Sequence, residues 1–231
     1  MMSDAIAWHS EIAADFDAKY LNSAAFKERL SVWGQLMAAH ITPQSRVLDA
    51  GCGSGVMAQL ASARALSVHG FDGSAEMVAL AKARKARGQM ANTEFEQGTL
   101  ESSGWLESGG YDVILCSSVL EYVEDWMAAF SHLAAALNPQ GVIIFSMPNG
   151  ASLYRKAERL AFALTGRPAY YAHVRHVPTA REVDKLLGRS GFAVVSRDYY
   201  AKVPFLSPLA RRLKQPQITD NLFVTTCRRP D

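Results

Sequence analysis

The sequence predicts an α/β fold built on a doubly wound, mostly parallel sheet, and three observations carry that reading. Strand-like and helix-like stretches alternate from residue 46 to about residue 146, the pattern of a parallel sheet covered by helices on both faces. An apolar run, Arg46-Val47-Leu48, ends in Asp49 and opens into the glycine loop Gly51-Cys52-Gly53-Ser54-Gly55. A second carboxylate, Asp72, closes the next apolar run 23 residues later. A strand, a glycine loop and a helix in that order form a nucleotide-type cofactor cradle at the carboxyl end of a first strand.

The elements follow in order. Residues 6–21 and 24–40 both show helical spacing, and in the second Phe26, Leu30, Trp33 and Met37 share one face. Thr42-Pro43 breaks that pattern ahead of the first strand. Residues 65–71 read as a second strand, and Ser74 as the N-cap of a helix over 75–87. Residues 94–97 form a short third strand, and 111–116 a fourth after the turn Gly109-Gly110. Residues 126–137 are helical and stop at Asn138-Pro139-Gln140-Gly141, read as a turn before a fifth strand over 142–146. Beyond Gly150 the spacing predicts a helix over 152–164, with Leu153, Ala157, Leu160, Ala161 and Leu164 on one face and Arg155, Lys156, Glu158 and Arg159 on the other. Thr179 caps a further helix through Leu187, residues 191–195 begin a strand, and 222–226 supply the last strand. Residues 204–216, basic and flanked by proline, read as an excursion between those two strands.

The bulk numbers fit one globular domain. Of 231 residues, 49% are hydrophobic and 20% charged, enough for a sizeable core. No apolar run approaches the roughly 18 residues of a membrane-spanning helix, and the first residues lack the basic region and apolar core of a signal peptide. Cys52, Cys116 and Cys227 show no CxxC spacing and read as reduced thiols of a cytoplasmic protein. The net charge of +2 hides an asymmetry. Residues 1–149 hold 9 basic against 16 acidic side chains, and residues 150–231 hold 15 against 6. The basic half suits an anionic membrane face, an anionic substrate or nucleic acid, or pairs with the acidic half.

The glycine spacing selects among cofactors. A dinucleotide fingerprint starting at Gly51 requires glycine at position 56, where Val56 stands. An acid inside the strand end, Asp49, repels a pyrophosphate and attracts an ammonium or sulfonium group. Asp72 is placed to accept hydrogen bonds from both hydroxyls of a ribose.

At these residues the chain resembles the class I S-adenosylmethionine-dependent methyltransferases. The match runs through residues 47–55, Gly70-Phe71-Asp72-Gly73-Ser74, Gly98-Thr99-Leu100, residues 111–116 and residues 137–142, and covers about residues 40–150. The resemblance implies a Rossmann-like sheet of seven strands with the last antiparallel. It implies a single methyltransferase domain over 1–231, with residues 1–40 as a helical lid and 150–180 as a substrate-side insertion. Carried over by position, Asp49, Gly51 and Gly53 line the methionine part of S-adenosylmethionine, and Asp72 holds its ribose. Gly73 and Met77 flank the adenine, and Thr99 and Leu100 take its edge. Thr99 stands where many relatives have aspartate. Cys116 and Ser117 lie under the sulfonium, while Tyr20 and Arg29 come from the lid, Arg29 for the cofactor carboxylate.

Within the family, Cys116-Ser117-Ser118-Val119-Leu120-Glu121-Tyr122-Val123 is similar to the subgroup that includes ubiquinone-biosynthesis O-methyltransferases. Relatives there often read Glu-x-x-Glu-His, spaced for Mg²⁺. Ser118, Glu121 and Tyr122 stand at those positions here, so no metal is expected. The implied acceptor is a small molecule with an aromatic or quinone-like hydroxyl, with N- or C-methylation, or a cofactor-binding subunit without activity, as alternatives. A base must then come from side chains, and His173, His176 and Tyr122 are the candidates, with Glu121 beside them. Tyr154, Tyr170 and Tyr171 are candidates to line an aromatic pocket. The 152–164 helix suits either a cap over the site or peripheral contact with an anionic membrane. Arg211, Arg212, Lys214, Arg228 and Arg229 lack an interleaved aromatic platform, so nucleic acid is not the expected partner.

Overall fold

A computed structural model describes residues 4–102, 104–203, 212–213 and 215–230. The helices are α1 (Asp4–Glu11), α2 (Ala13–Asn22), α3 (Ala24–His40), α4 (Val56–Ser62), α5 (Ala75–Gly88), α6 (Gly104–Ser108), α7 (Trp126–Ala136), α8 (Leu153–Thr165) and α9 (Ala180–Arg189). The strands are β1 (Arg46–Ala50), β2 (Ser67–Asp72), β3 (Thr93–Gln97), β4 (Tyr111–Cys116), β5 (Leu137–Pro148), β6 (Ala193–Tyr200) and β7 (Leu222–Arg228). They form a seven-stranded sheet in the order β3-β2-β1-β4-β5-β7-β6. β1 to β5 pair in parallel, and β7 runs antiparallel to both β5 and β6. The doubly wound sheet with an antiparallel last strand is as the motifs implied.

Burial on both faces explains the apolar strands. Along β4 and β5, Tyr111, Ile114, Cys116, Ile143 and Phe145 enter one core, shared with α7 and α9. Val113, Leu115, Val142 and Ile144 alternate into the other, shared with α3, α4 and α5. Phe130 of α7 is fully buried and meets Phe145 and Phe192 edge-on at 5.6 and 5.2 Å.

Several sequence expectations change here. The helix read over 6–21 breaks at Ile12 (φ −99°, ψ 6°) into α1 and α2, which lets α1 turn across the end of the sheet. Asn138-Pro139-Gln140-Gly141 is not a turn between elements but an irregular stretch inside β5. The pairing jumps from Tyr111↔Leu137 to Val113↔Val142, and Asn138 Nδ2 donates to Asp112 Oδ1 at 2.7 Å. Turn chemistry is spent there on a bulge. Thr179 and Glu182 form a reciprocal capping box at the start of α9. On α8 the leucine face is the exposed one: Leu153, Leu160 and Leu164 are 57%, 62% and 76% exposed, and Arg155 is the buried residue of that helix. Arg211 and Lys214 lie outside the described residues. Arg229 donates to the carbonyls of Ala134 and Leu137 at the end of α7 and packs over Phe192, a structural task. Among the described residues no helix is long and apolar enough to cross a membrane.

Phe130→Ala empties the centre of one core and is expected to lower the unfolding free energy by about 3–5 kcal/mol. Urea denaturation measures it, and a loss below about 1 kcal/mol would show that the aromatic contacts do not bind α7 to the sheet.

Candidate active site

The loop after β1 hangs from the end of β2. The amides of Gly51 and Cys52 both donate to Phe71 O, at 2.9 and 2.8 Å, and Gly53 N donates to Asp72 Oδ2 at 2.9 Å. The loop passes through left-handed backbone at Gly51 (φ +71°) and Gly53 (φ +52°), which disfavours side chains there. A Cβ at Gly51 would in addition lie 2.2 Å from Val119 Cγ2. Asp72 Oδ1 accepts from Ser74 N at 2.9 Å, and Ser74 Oγ caps α5 by accepting from Met77 N. Each Asp72 oxygen therefore has one backbone donor and keeps a further acceptor site.

Two adjoining cavities open at this end of the sheet. The larger, about 660 Å³, is lined by Asp72, Gly73, Thr99 and Leu100. The smaller, about 410 Å³, is lined by Tyr20, Arg29, Asp49, Gly53, Met77 and Ser117, and by Glu121, Arg155 and Tyr170. His9, Gly51, Ser118 and Tyr122 line both and mark where they meet.

The smaller cavity holds buried ionisable groups that each leave one polar atom unpaired. Asp49 is 1% exposed and its Oδ2 has no hydrogen-bond partner. Burial, with Asp72 adding repulsion, pushes its carboxyl from the ordinary 3.8 to about 7, against the opposing pull of the Ala58 amide and Arg29. Arg29 is buried and donates through Nη2 to Ser117 O at 2.9 Å and Ser117 Oγ at 2.6 Å, while its Nε is unpaired. An orphaned acceptor and an orphaned donor in one cavity match the ammonium and carboxylate of an amino-acid group. Asp72, with its spare acceptor sites in the next cavity, suits a ribose. These residues fit S-adenosylmethionine.

The family model for the methyltransferase domain matches residues 21–197. This chain belongs to the methyltransferase domain family. The match agrees with the S-adenosylmethionine-dependent methyltransferases that its motifs resemble. Curated relatives include ubiquinone biosynthesis O-methyltransferases from Acinetobacter baylyi, 29% identical over 121 residues, and Vibrio campbellii, 31% identical over the same length. Each match takes in 52% of this chain and 49% of the relative, so the chain spans about half the length of the curated relatives it matches. Among solved structures, magnesium protoporphyrin IX methyltransferase from Synechocystis, with bound SAH, aligns at a TM-score of 0.64 and 24% identity, covering 87% of this chain and 81% of that one. The N-methyltransferase NodS from Bradyrhizobium japonicum, in complex with S-adenosyl-L-homocysteine, aligns at 0.69 and 16%, covering 99% and 100%. These likenesses concern the fold.

Of the residues expected to bind the cofactor or act as base, all but Cys116, His173 and His176 line the cavities. Cys116 is fully buried in the core and lines neither cavity. Met77 lines the smaller cavity beside Gly53. His173 and His176 line neither cavity. His173 stacks on Trp8 at 5.2 Å, and His176 Nε2 lies 2.9 and 3.1 Å from the carbonyls of Val123 and Glu124, so that nitrogen carries a proton. Tyr122 is in place, but burial and the neighbouring Glu121 push its hydroxyl well above the usual tyrosine range. A hydroxyl so raised stays protonated and is disfavoured as a base. Of the three tyrosines expected in an aromatic pocket only Tyr170 reaches the cavity.

Sequence reasoning missed His9 and Arg155. His9, Nδ1 bonded to Ala5 O at 2.7 Å, meets the Tyr122 ring at 4.9 Å; its placement depends on the break at Ile12. Arg155 Nη1 donates to Tyr170 Oη at 2.6 Å and to Glu158 Oε2 at 2.9 Å, and Nη2 donates to Asn221 O at 3.2 Å. The Glu158 three residues on was the available signal.

The raised carboxyl of Asp49 makes the folded chain bind more protons than the unfolded one between 3.8 and about 7, so its contribution to stability falls as pH rises through that window. Asp49→Asn keeps the shape and removes the titration. Urea midpoints of the ligand-free variant are expected to exceed those of the wild type at about pH 8, with the gap narrowing toward about pH 4. A gap independent of pH would show that Asp49 does not titrate in that range.

Proposed function

We propose that this chain transfers the methyl group of S-adenosylmethionine to a hydroxyl of an aromatic or quinone-like, partly apolar small molecule. The observation that carries the reading is the meeting of the two cavities at Gly51, Ser118 and Tyr122. A cofactor held by Asp72 in one and by Asp49 and Arg29 in the other spans that meeting point. Asp72 accepts the ribose hydroxyls, Asp49 the ammonium, and Arg29 binds the carboxylate. Gly73, Thr99 and Leu100 enclose the base. The cofactor supplies an electrophilic methyl group, and the rest of the smaller cavity, with Pro148, Tyr170, Val174 and Leu222, receives the acceptor. Displacement at the methyl carbon gains most from alignment and exclusion of water, and the lid contributes both. α1 and α2 carry Trp8, Phe16 and Tyr20 into the cavity wall, and Ser54 Oγ donates to Asp17 of α2. The similarity to O-methyltransferases of ubiquinone biosynthesis supports a hydroxyl acceptor.

A cytoplasmic location with peripheral membrane contact accompanies this reading. The exposed stripe of Leu153, Leu160 and Leu164 lies beside Lys156 and Arg159 on α8, the make-up of a helix that settles into an anionic lipid surface. Such a position would serve an acceptor dissolved in lipid.

Calorimetry is expected to show binding of S-adenosylmethionine and S-adenosylhomocysteine and none of NAD; NAD binding alone would remove the cofactor assignment. Asp72→Ala should weaken S-adenosylhomocysteine by about 10- to 100-fold, the loss of charge-assisted hydrogen bonds. In flotation assays the protein should rise with phosphatidylglycerol vesicles and stay behind with phosphatidylcholine ones. Leu160→Glu with Leu164→Glu should abolish the effect, and equal flotation of wild type and variant would dismiss the membrane contact.

A further inference from the structure

Besides Asp49, the smaller cavity is lined by one carboxylate among the described residues, Glu121, in the loop between β4 and α7. It is 3% exposed, and its Oε2 has no hydrogen-bond partner. Its backbone is fixed from the other side, since Glu121 O accepts from the amides of Arg175 and His176 at 2.8 and 3.2 Å. A buried carboxylate oxygen left open, on an anchored backbone and beside the place where the two cavities meet, is costly unless a ligand donates to it.

We propose that Glu121 is the catalytic base of this enzyme, its free oxygen taking the proton of the acceptor hydroxyl. The inference rests on the hydroxyl-acceptor reading. In the step, the acceptor O–H bond breaks and its proton passes to Glu121 Oε2. The acceptor oxygen forms a bond to the methyl carbon as the carbon–sulfur bond of S-adenosylmethionine breaks. The electron pair of that bond goes to sulfur, which becomes a neutral thioether. Glu121 then loses its proton to solvent.

The charged and titratable groups facing Glu121 agree with that role. Arg29 from α3 and Arg155 from α8 favour its ionised form, and Ser118 and its own amide add to this. Tyr122 in the same loop and Cys116 at the end of β4 are held protonated, both by burial and by Glu121 itself. Burial outweighs the two guanidinium groups and pushes the carboxyl from the ordinary 4.5 to about 7, close to where a base works best at neutral pH. His9, the histidine that lines both cavities, has its basicity lowered by burial, against the opposing pull of the Ala5 carbonyl and Asp72.

The test uses the full chain, labelled S-adenosylmethionine and two probe acceptors of matched shape, 4-methylphenol and the far more acidic 4-nitrophenol. Glu121→Gln is expected to lower kcat for 4-methylphenol by about 10²–10³-fold, the usual contribution of a general base. For 4-nitrophenol, already ionised in mildly alkaline buffer, the loss should stay within about fivefold, because the proton to be removed is gone. Calorimetric affinity for S-adenosylhomocysteine should be unchanged, which shows that the variant folds. With 4-methylphenol the wild-type rate should rise through a pH of about 7, and the variant should lose that inflection. Equal losses for the two phenols, an unchanged rate for 4-methylphenol, or a lost affinity for S-adenosylhomocysteine would each overturn the assignment. His9→Gln reproducing the acidity-dependent loss would transfer the role to His9. Binding of S-adenosylhomocysteine without turnover of either phenol would sink the hydroxyl-acceptor reading, and the Glu121 assignment with it.

Discussion

The site depends on one arrangement of hydrogen bonds, the suspension of the glycine loop from the end of β2. Phe71 O takes two loop amides and Asp72 takes a third. These bonds settle backbone groups that would otherwise point into the cavities unpaired. They also fix the distance between Asp49 and Asp72, which sit at the ends of adjacent strands. Asp72 does this while capping the next turn through Ser74. One carboxylate thus braces the loop, begins α5 and faces the larger cavity, and none of these tasks uses all of its acceptor capacity.

The smaller cavity is stabilised less well than it is shaped. Asp49 and Glu121 are both buried with an oxygen unpaired, and Arg29 and Arg155 each bury an unpaired Nε. Folding an empty site around such groups costs free energy that the cores on either face of the sheet must offset. The same groups are arranged to be satisfied by what binds. The protein therefore stores part of its ligand affinity as desolvated charge set in place beforehand.

Legibility in the sequence followed the locality of the cause. Asp49, Gly51, Gly53, Asp72 and the Ser74 cap were readable because a strand, a tight loop and a helix start are decided within a few residues. Residues 138–141 carried true turn chemistry, but the tie from Asn138 to Asp112 turned it into a bulge, which local reading cannot see. Helical spacing identified the two faces of α8 and could not say which faces inward. The buried hydrogen bonds of Arg155 to Tyr170 and Asn221 decided that against the leucines. His173 and His176 were candidate bases because they fall in the implied substrate-side insertion, and the fold sets His173 against Trp8 and His176 against the loop carbonyls.

The start of α8 has a further consequence. Asn149 Nδ2 donates to the carbonyls of Gln217 and Asp220, Ser152 Oγ donates to Thr219 O, and Arg155 to Asn221 O. The wall of the smaller cavity formed by Arg155 is thereby moored to a turn some seventy residues downstream, just before β7. Residues 149–155 and 217–221 accordingly form one module, although the chain separates them. A graft that exchanges the insertion of one relative for another has to carry both pieces, and divergence in one segment constrains what the other can become.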